Sequence, residues 1–211
     1  MSANANEIAI HEHFVTTAGA LSPALAEALK GVGVVSLAKP RSGKKTNTLG
    51  YFLSRAIVGQ QLSTKAAGSI WQRVEAVVAT SKSAIPDYFG ENCFDAIRSC
   101  GVSGSKVKAL QGIHAADRAG DLCGKTLAKM DHASRSEQLL KIWGVGQWTC
   151  DMASIFFCCC PDVWPEGDVT VQKTFARLIG RRKPAKAALH FAPHRSYLAL
   201  AMWEIADARP E

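Results

Sequence analysis

Two short stretches of this chain carry residue types that could do chemistry. The first is Leu139-Leu140-Lys141-Ile142-Trp143-Gly144-Val145-Gly146-Gln147-Trp148-Thr149. An apolar helix end runs into Gly-Val-Gly and at once into a new helical pattern. Glycine reaches backbone angles closed to other residues and lets a second backbone come close. The open N–H groups at a helix start suit a phosphate, so such a turn can grip a nucleic-acid backbone without reading its sequence. A tight corner between two helices would use the same glycines, and the turn alone leaves both uses open. The second stretch is Trp164-Pro165-Glu166-Gly167-Asp168-Val169-Thr170-Val171-Gln172-Lys173. Asp168 follows a glycine and precedes a helical run, the position of an N-cap. A capping carboxylate is ionised and rigidly held, which is also what stabilising a nearby cation requires.

The elements that must position these residues read as helices. Leu49, Phe52, Leu53, Ala56 and Ile57 fall on one helical face. Ile70, Val74, Val77 and Val78 repeat the pattern behind Ser63, a candidate N-cap. Leu198, Ala201, Met202 and Ile205 follow the start signal Pro193-His194-Arg195-Ser196, and Ser22-Pro23 is another start, with serine as cap and proline first in the helix. Shorter helices are expected over Cys93–Ser99, Ser105–Arg118 and Arg135–Ile142. Only Val32–Leu37 looks strand-like. The chain reads as all-α, with nine or ten helices and no internal repeat.

Composition bounds the partner. The 211 residues suit one large domain or two intimate lobes, and the hydrophobic share of 47% supplies a core. A net charge of +7 points to an anionic partner. The charge-free stretch Met152–Pro161 is too short to span a bilayer. The first ten residues lack the basic and apolar regions of an export signal, so a soluble intracellular protein is expected. Seven cysteines, odd in number and without a C-x-x-C pair, give no metal–thiolate spacing; they read as buried thiols, with Cys158, Cys159 and Cys160 on an apolar helix. The basic segments Lys39–Lys45 and Arg181–Lys186 read as solvated loops or as phosphate contacts. The first is not a P-loop, because Ala38 and Lys45 stand where glycine and Ser or Thr are needed. His11 and His13 read as a solvated face, Pro193 spoils His190 and His194 as a ligand pair, and Trp71, Trp143 and Trp203 read as core.

Taken together, three blocks resemble the helix–hairpin–helix DNA glycosylase superfamily, in particular its 3-methyladenine DNA glycosylase II branch. They are Arg55-Ala56-Ile57-Val58-Gly59-Gln60-Gln61-Leu62-Ser63 with Lys65-Ala66-Ala67, then Gly144 to Met152, then Pro165 to Lys173. Arg195-Ser196-Tyr197 is a weaker echo, and the likeness runs in order over residues 14–206. It implies an all-α, two-lobed helical bundle, a single domain over residues 1–211 with the helix–hairpin–helix at about 135–157 on the cleft and Asp168 facing it.

By the same resemblance Asp168 takes the catalytic position of a base-flipping enzyme. Gly144, Val145, Gly146, Thr149 and Ser63 take phosphate-binding positions. Gln61 and Leu62 fall where the family fills the gap left by the flipped base, Gln61 being favoured. Trp148 takes an aromatic base-pocket position, and Met152 stands where relatives often carry a second aromatic. No cofactor or metal is implied, apart from a monovalent cation that the family often holds on hairpin carbonyls. Strand-cutting relatives place a nucleophilic lysine where this chain has Trp148, so a monofunctional enzyme is expected. An alkylated purine is already cationic and needs no acid to leave, which suits a single carboxylate. The expected partner is double-stranded DNA carrying alkylated bases, bound by a monomer, in the cytoplasm with the nucleoid or in a eukaryotic nucleus. Two other functions use the same residues: a glycosylase for a neutral deaminated or oxidised base, and a catalytically silent DNA-binding hairpin. Asp168 in register argues against the silent module, because phosphate binding alone needs no acid there.

Overall fold

Local capping chemistry sets the helix boundaries. In a computed structural model, which describes residues 4–37 and 48–208, Ser22 accepts a hydrogen bond from the Leu25 N–H, and Ser63 accepts one from the Ala66 N–H. Pro23 opens its helix as the sequence predicts. The basic loop Lys39–Lys45 lies outside the described residues. Among those described, twelve α-helices are joined by turns and single-turn segments, without a strand. They are α1 Ala5–Leu21, α2 Pro23–Val32, α3 Leu49–Gly59, α4 Thr64–Thr80, α5 Phe94–Ser99, α6 Gly104–Arg118, α7 Gly124–Leu127, α8 His132–Leu140, α9 Gln147–Met152, α10 Val169–Ile179, α11 Pro184–Ala188 and α12 Arg195–Asp207.

The all-α reading holds, and the count exceeds nine or ten for identifiable reasons. Helices α7 and α11 are about one turn each, too short to show a periodicity. Helix α1 starts at a reciprocal cap: the Asn4 side chain accepts from the Glu7 N–H at 2.9 Å, and Glu7 Oε2 accepts from the Asn4 N–H at 3.2 Å. His11 and His13 therefore ride on a helix, His13 exposed and His11 half-buried. Val32–Leu37 forms no strand. Val32 closes α2, Gly33 turns the chain with φ +73°, and among the described residues no partner strand offers its backbone groups hydrogen bonds. The basic run Arg181–Lys186 is only half a loop, since Pro184 starts α11.

The described residues form two compact units. The first holds residues 4–37 and 154–208, so α1 and α2 join α10 to α12. Its core is an aromatic chain: Phe14 meets Phe191 at 5.1 Å and 84°, and Trp164 meets Phe175 at 5.1 Å and 65°. Leu25, Leu29, Val171, Leu198 and Met202 close around them. Each edge-on aromatic pair adds about 0.5–1.5 kcal/mol beyond burial. Phe175 thereby anchors α10, the helix that Asp168 caps.

The second unit holds residues 48–153, with α3 packed against α4, α6 and α9. Leu53, Ile57, Val74, Ile97, Val107, Leu110 and Leu139 fill its core. Arg135 is 1% exposed and donates to the carbonyls of Leu127 and Met130, satisfying the backbone that follows α7. Trp71 is core as expected, but Trp143 is half-exposed, with the Lys108 ammonium 4.5 Å from its ring centre. Cys93, Cys100 and Cys150 are buried thiols, and burial pushes Cys150 up to about 11. Cys123 is exposed. The helix expected to carry the cysteine run stops short of it: α9 passes into a π-helical turn over Ala153–Phe157, and Cys158, Cys159 and Cys160 follow, half-buried. Among the described residues no helix is long and apolar enough to cross a membrane.

Candidate functional site

In the first unit the segment before α10 delivers Asp168. Side chains from α12 hold its start. Ser196 Oγ donates to the Cys160 carbonyl at 2.6 Å and accepts from the Val163 N–H at 2.9 Å. Arg195 grips Asp162 through Nε at 2.6 Å and a terminal nitrogen at 2.8 Å. The Arg195 guanidinium holds the Asp162 carboxyl below the usual carboxylate range. Further along, Trp164 is buried, the Asp168 N–H donates to the Pro165 carbonyl at 3.0 Å, and Gln172 Nε2 reaches the same carbonyl at 3.2 Å. The weaker sequence echo Arg195-Ser196 is therefore the clamp on this segment.

Asp168 ends up 8% exposed, whereas Glu166 is exposed. Its Oδ1 accepts from the Val171 N–H at 2.9 Å, the N-cap bond the sequence predicts. The same oxygen accepts from the Trp203 indole N–H at 3.2 Å. Trp203 is half-buried and packs on Phe156 with ring centres 5.4 Å apart. Sequence reasoning placed Trp203 in the core and missed this contact. A carboxylate oxygen fixed by two donors is a preorganised negative charge.

The second unit holds the other predicted site residues. Helices α8 and α9 are joined by residues 141–146, the hairpin expected from Gly-Val-Gly. Gly144 has φ +86°, and a Cβ there would lie 2.5 Å from the Ala109 Cβ on α6, so this glycine is required by the fold. Gly146 is different. It is exposed, caps α9, and a Cβ there would meet open space. Val145 is buried, and its N–H donates back to the Ile142 carbonyl at 3.0 Å. Beneath the turn the buried Asp151 carboxylate ties the two helices together, accepting from Gln147 Nε2 at 2.8 Å and pairing with His132 Nε2 at 3.1 Å. Trp148 and Met152 sit four apart on α9 and so share one face, Trp148 half-buried and Met152 buried.

The α3–α4 turn carries the gap-filling candidates. Gln61 is exposed with φ +59°, a left-handed conformation uncommon outside glycine, and Leu62 is 41% exposed. Ser63 is exposed and spends its hydroxyl on capping α4. Thr149 is buried, and its Oγ1 accepts from Gln60 Nε2 at 3.1 Å. The hydroxyl expected at a phosphate is thus turned toward the α3–α4 turn, and this bond brings that turn to α9. Sequence singled out Thr149 as a phosphate contact but not its bond to Gln60. Among the described residues no cluster of three or more His, Cys, Asp or Glu could hold a metal ion.

The chain thus combines an all-helical fold among the described residues with a glycine hairpin and a capping aspartate 22 residues beyond Gly146. No family model matches the chain. It is 31% identical over 127 residues to DNA-3-methyladenine glycosylase 1 of Schizosaccharomyces pombe, a match covering 60% of this chain and 56% of that protein, so the chain spans a little over half of that relative. It is 28% identical over 159 residues to the alkylbase DNA glycosidase-like protein mag2 of the same yeast, covering 72% of this chain and 75% of that one. Among solved structures it is similar to the Schizosaccharomyces pombe 3-methyladenine DNA glycosylase in complex with abasic DNA, with TM-score 0.77, 25% identity and coverage of 92% of this chain and 95% of that one. A DNA-3-methyladenine glycosidase from Bacillus halodurans gives TM-score 0.72 at 28% identity, covering 92% and 89%. The likeness, in sequence and in fold, is thus to DNA-3-methyladenine glycosylases.

Proposed function

We propose that this chain is a monofunctional DNA glycosylase that flips alkylated bases of the 3-methyladenine and 7-methylguanine type out of duplex DNA and hydrolyses their N-glycosidic bond, the first step of base excision repair. One observation carries the reading: Asp168 is a buried carboxylate at the head of α10, fixed by the Val171 N–H and the Trp203 indole. A cap needs only the backbone donor. The second donor and the burial give a rigid charge suited to a cationic transition state.

The chemistry follows from the leaving group. In an N3-alkylated adenine or N7-alkylated guanine the ring already carries the positive charge. When the N-glycosidic bond breaks, its electron pair neutralises the base, and the positive charge passes to the sugar. Asp168 stabilises that oxocarbenium ion, water adds at the anomeric carbon and loses a proton, and an abasic site remains. Trp148 offers a π face, worth about 0.5–2 kcal/mol toward a cationic base. As position 148 is tryptophan, no amine stands there to form a Schiff base and cut the strand. Exposed Gln61 and Leu62 fill the vacated stack, and the Gly144–Gly146 turn with Ser63 lies along the phosphates. The turn's donor set fits a hard monovalent cation: the Ile142 and Gly146 carbonyls each accept one backbone bond and keep a second lone pair. A cation held there would add positive charge beside a phosphate. The net charge of +7 supports DNA as the partner, bound by a monomer.

The test is a lesion panel. Purified protein is given matched duplexes carrying 3-methyladenine, 7-methylguanine, hypoxanthine, uracil or 8-oxoguanine. Release confined to the alkylated purines supports the reading. Preference for a neutral lesion would favour the alternative glycosylase, and DNA binding with no release from any duplex would favour a silent binding module.

A further inference from the structure

The turn that presents Gln61 and Leu62 has an unusual support. The last carbonyls of α3 end the helix without intrahelical partners, and Lys106 from α6 answers two of them. Its Nζ donates to the Val58 carbonyl at 2.8 Å and to the Gln60 carbonyl at 2.7 Å. The ammonium also sits at the negative end of the α3 dipole. Gln60 is pinned a second time by its side chain, through Nε2 to Thr149 Oγ1 at 3.1 Å. The next residue, Gln61, takes its left-handed conformation immediately beyond these anchors, and the Leu62 N–H closes the turn on the Gly59 carbonyl at 3.2 Å. A strained residue persists only where its surroundings over-determine it. Lys106 is half-buried, and burial lowers its pKa, the expected result of moving an ammonium from water to two carbonyls.

We propose that Lys106 is a positioning residue for base flipping: by bonding the Val58 and Gln60 carbonyls it holds the Gln61–Leu62 tip in the shape that enters the DNA stack, and it touches neither the base nor the phosphate. The proposal rests on the glycosylase reading. A preformed tip matters when a paired base must be extruded, because flipping costs a few kcal/mol for a paired base and least for one already unpaired. A tip that must be ordered at the moment of insertion adds its entropy to that cost.

Lys106→Met keeps the chain length and removes the ammonium; Lys106→Arg restores donors to the two carbonyls. Single-turnover excision of 7-methylguanine is measured from a fully paired duplex and from a single strand, with each protein preparation used on both. The ratio of the two rates cancels any difference in folded fraction. The expected result is a paired-to-unpaired ratio about tenfold lower in Lys106→Met, equivalent to about 1.4 kcal/mol, largely recovered in Lys106→Arg, and matched by Gln61→Ala. Fluorescence of 2-aminopurine beside the lesion should fall in parallel, because less of the stack is opened. An unchanged ratio would overturn the proposal. So would an equal loss of affinity for undamaged duplex with a shallower salt dependence, which would make Lys106 a phosphate contact. If wild-type protein releases no base from either substrate, it is the glycosylase reading that fails.

Discussion

Replacing Asp168 by asparagine separates catalysis from capping. Two donors to the carboxylate, the Val171 N–H at 2.9 Å and the Trp203 N–H at 3.2 Å, meet Oδ1. An amide oxygen in the same place accepts both, and asparagine caps helices about as well as aspartate. The fold should survive, and the negative charge is what is lost. For a sugar cation about 4 Å away at an effective dielectric of about 20, that charge is worth about 4 kcal/mol, or about a thousandfold in rate. The amide dipole retains part of this, so single-turnover release of 7-methylguanine should fall about a hundredfold to a thousandfold. Affinity for undamaged duplex should stay level or rise, since one negative charge near the phosphates has gone. Rates and affinity are measured on one preparation, with circular dichroism as the folding control. Excision within about threefold of wild type would reduce Asp168 to a helix cap and refute the catalytic assignment.

Three further outcomes follow from neighbouring geometry. Trp203→Phe keeps the ring against Phe156 but removes the indole donor to Asp168; excision should fall about tenfold while DNA affinity holds, as read by single-turnover rates beside equilibrium binding. Gly146→Val places its Cβ in open space and should keep the wild-type Tm while weakening binding to damaged and undamaged duplex alike, whereas Gly144→Val forces a Cβ to within 2.5 Å of Ala109 Cβ at φ +86° and should lower the Tm severely. Arg195 depresses the Asp162 pKa, so the pair's stabilisation is present above the ordinary carboxylate range and is lost as pH falls through the lowered value. Asp162→Asn should therefore cost about 1–2 kcal/mol at neutral pH, and the difference from wild type should close in acid, as followed by Tm against pH.

Sequence disclosed what depends on neighbours along the chain. The caps at Ser22, Ser63 and Asp168 were legible because a cap bonds an N–H only three residues away. The Asn4–Glu7 cap at the start of α1 has the same local signature. Val32–Leu37 misled because β-branched residues say nothing about whether a partner strand exists. Trp143 misled because a large apolar side chain can be covered on one face by a lysine and remain half-exposed. Contacts that join distant segments left no trace in spacing. Trp203 lies 35 residues beyond Asp168, and Gln60 lies 89 residues before Thr149. A lysine bonded to backbone carbonyls, as Lys106 is, depends on no side-chain partner that a motif could register.

Base release from methylated DNA is the most direct measure of the proposed activity. Purified protein is incubated with dimethyl-sulfate-treated duplex DNA in excess EDTA, without any cofactor, and both the free bases and the strand lengths are analysed. The expected result is release of 3-methyladenine and 7-methylguanine at undiminished rate in EDTA, with strands intact until alkali cleaves the abasic sites, and no protein–DNA adduct on borohydride treatment. Methylated DNA that is bound yet yields no free base would contradict it. Direct strand cleavage with a trapped adduct would contradict the monofunctional mechanism drawn from Trp148.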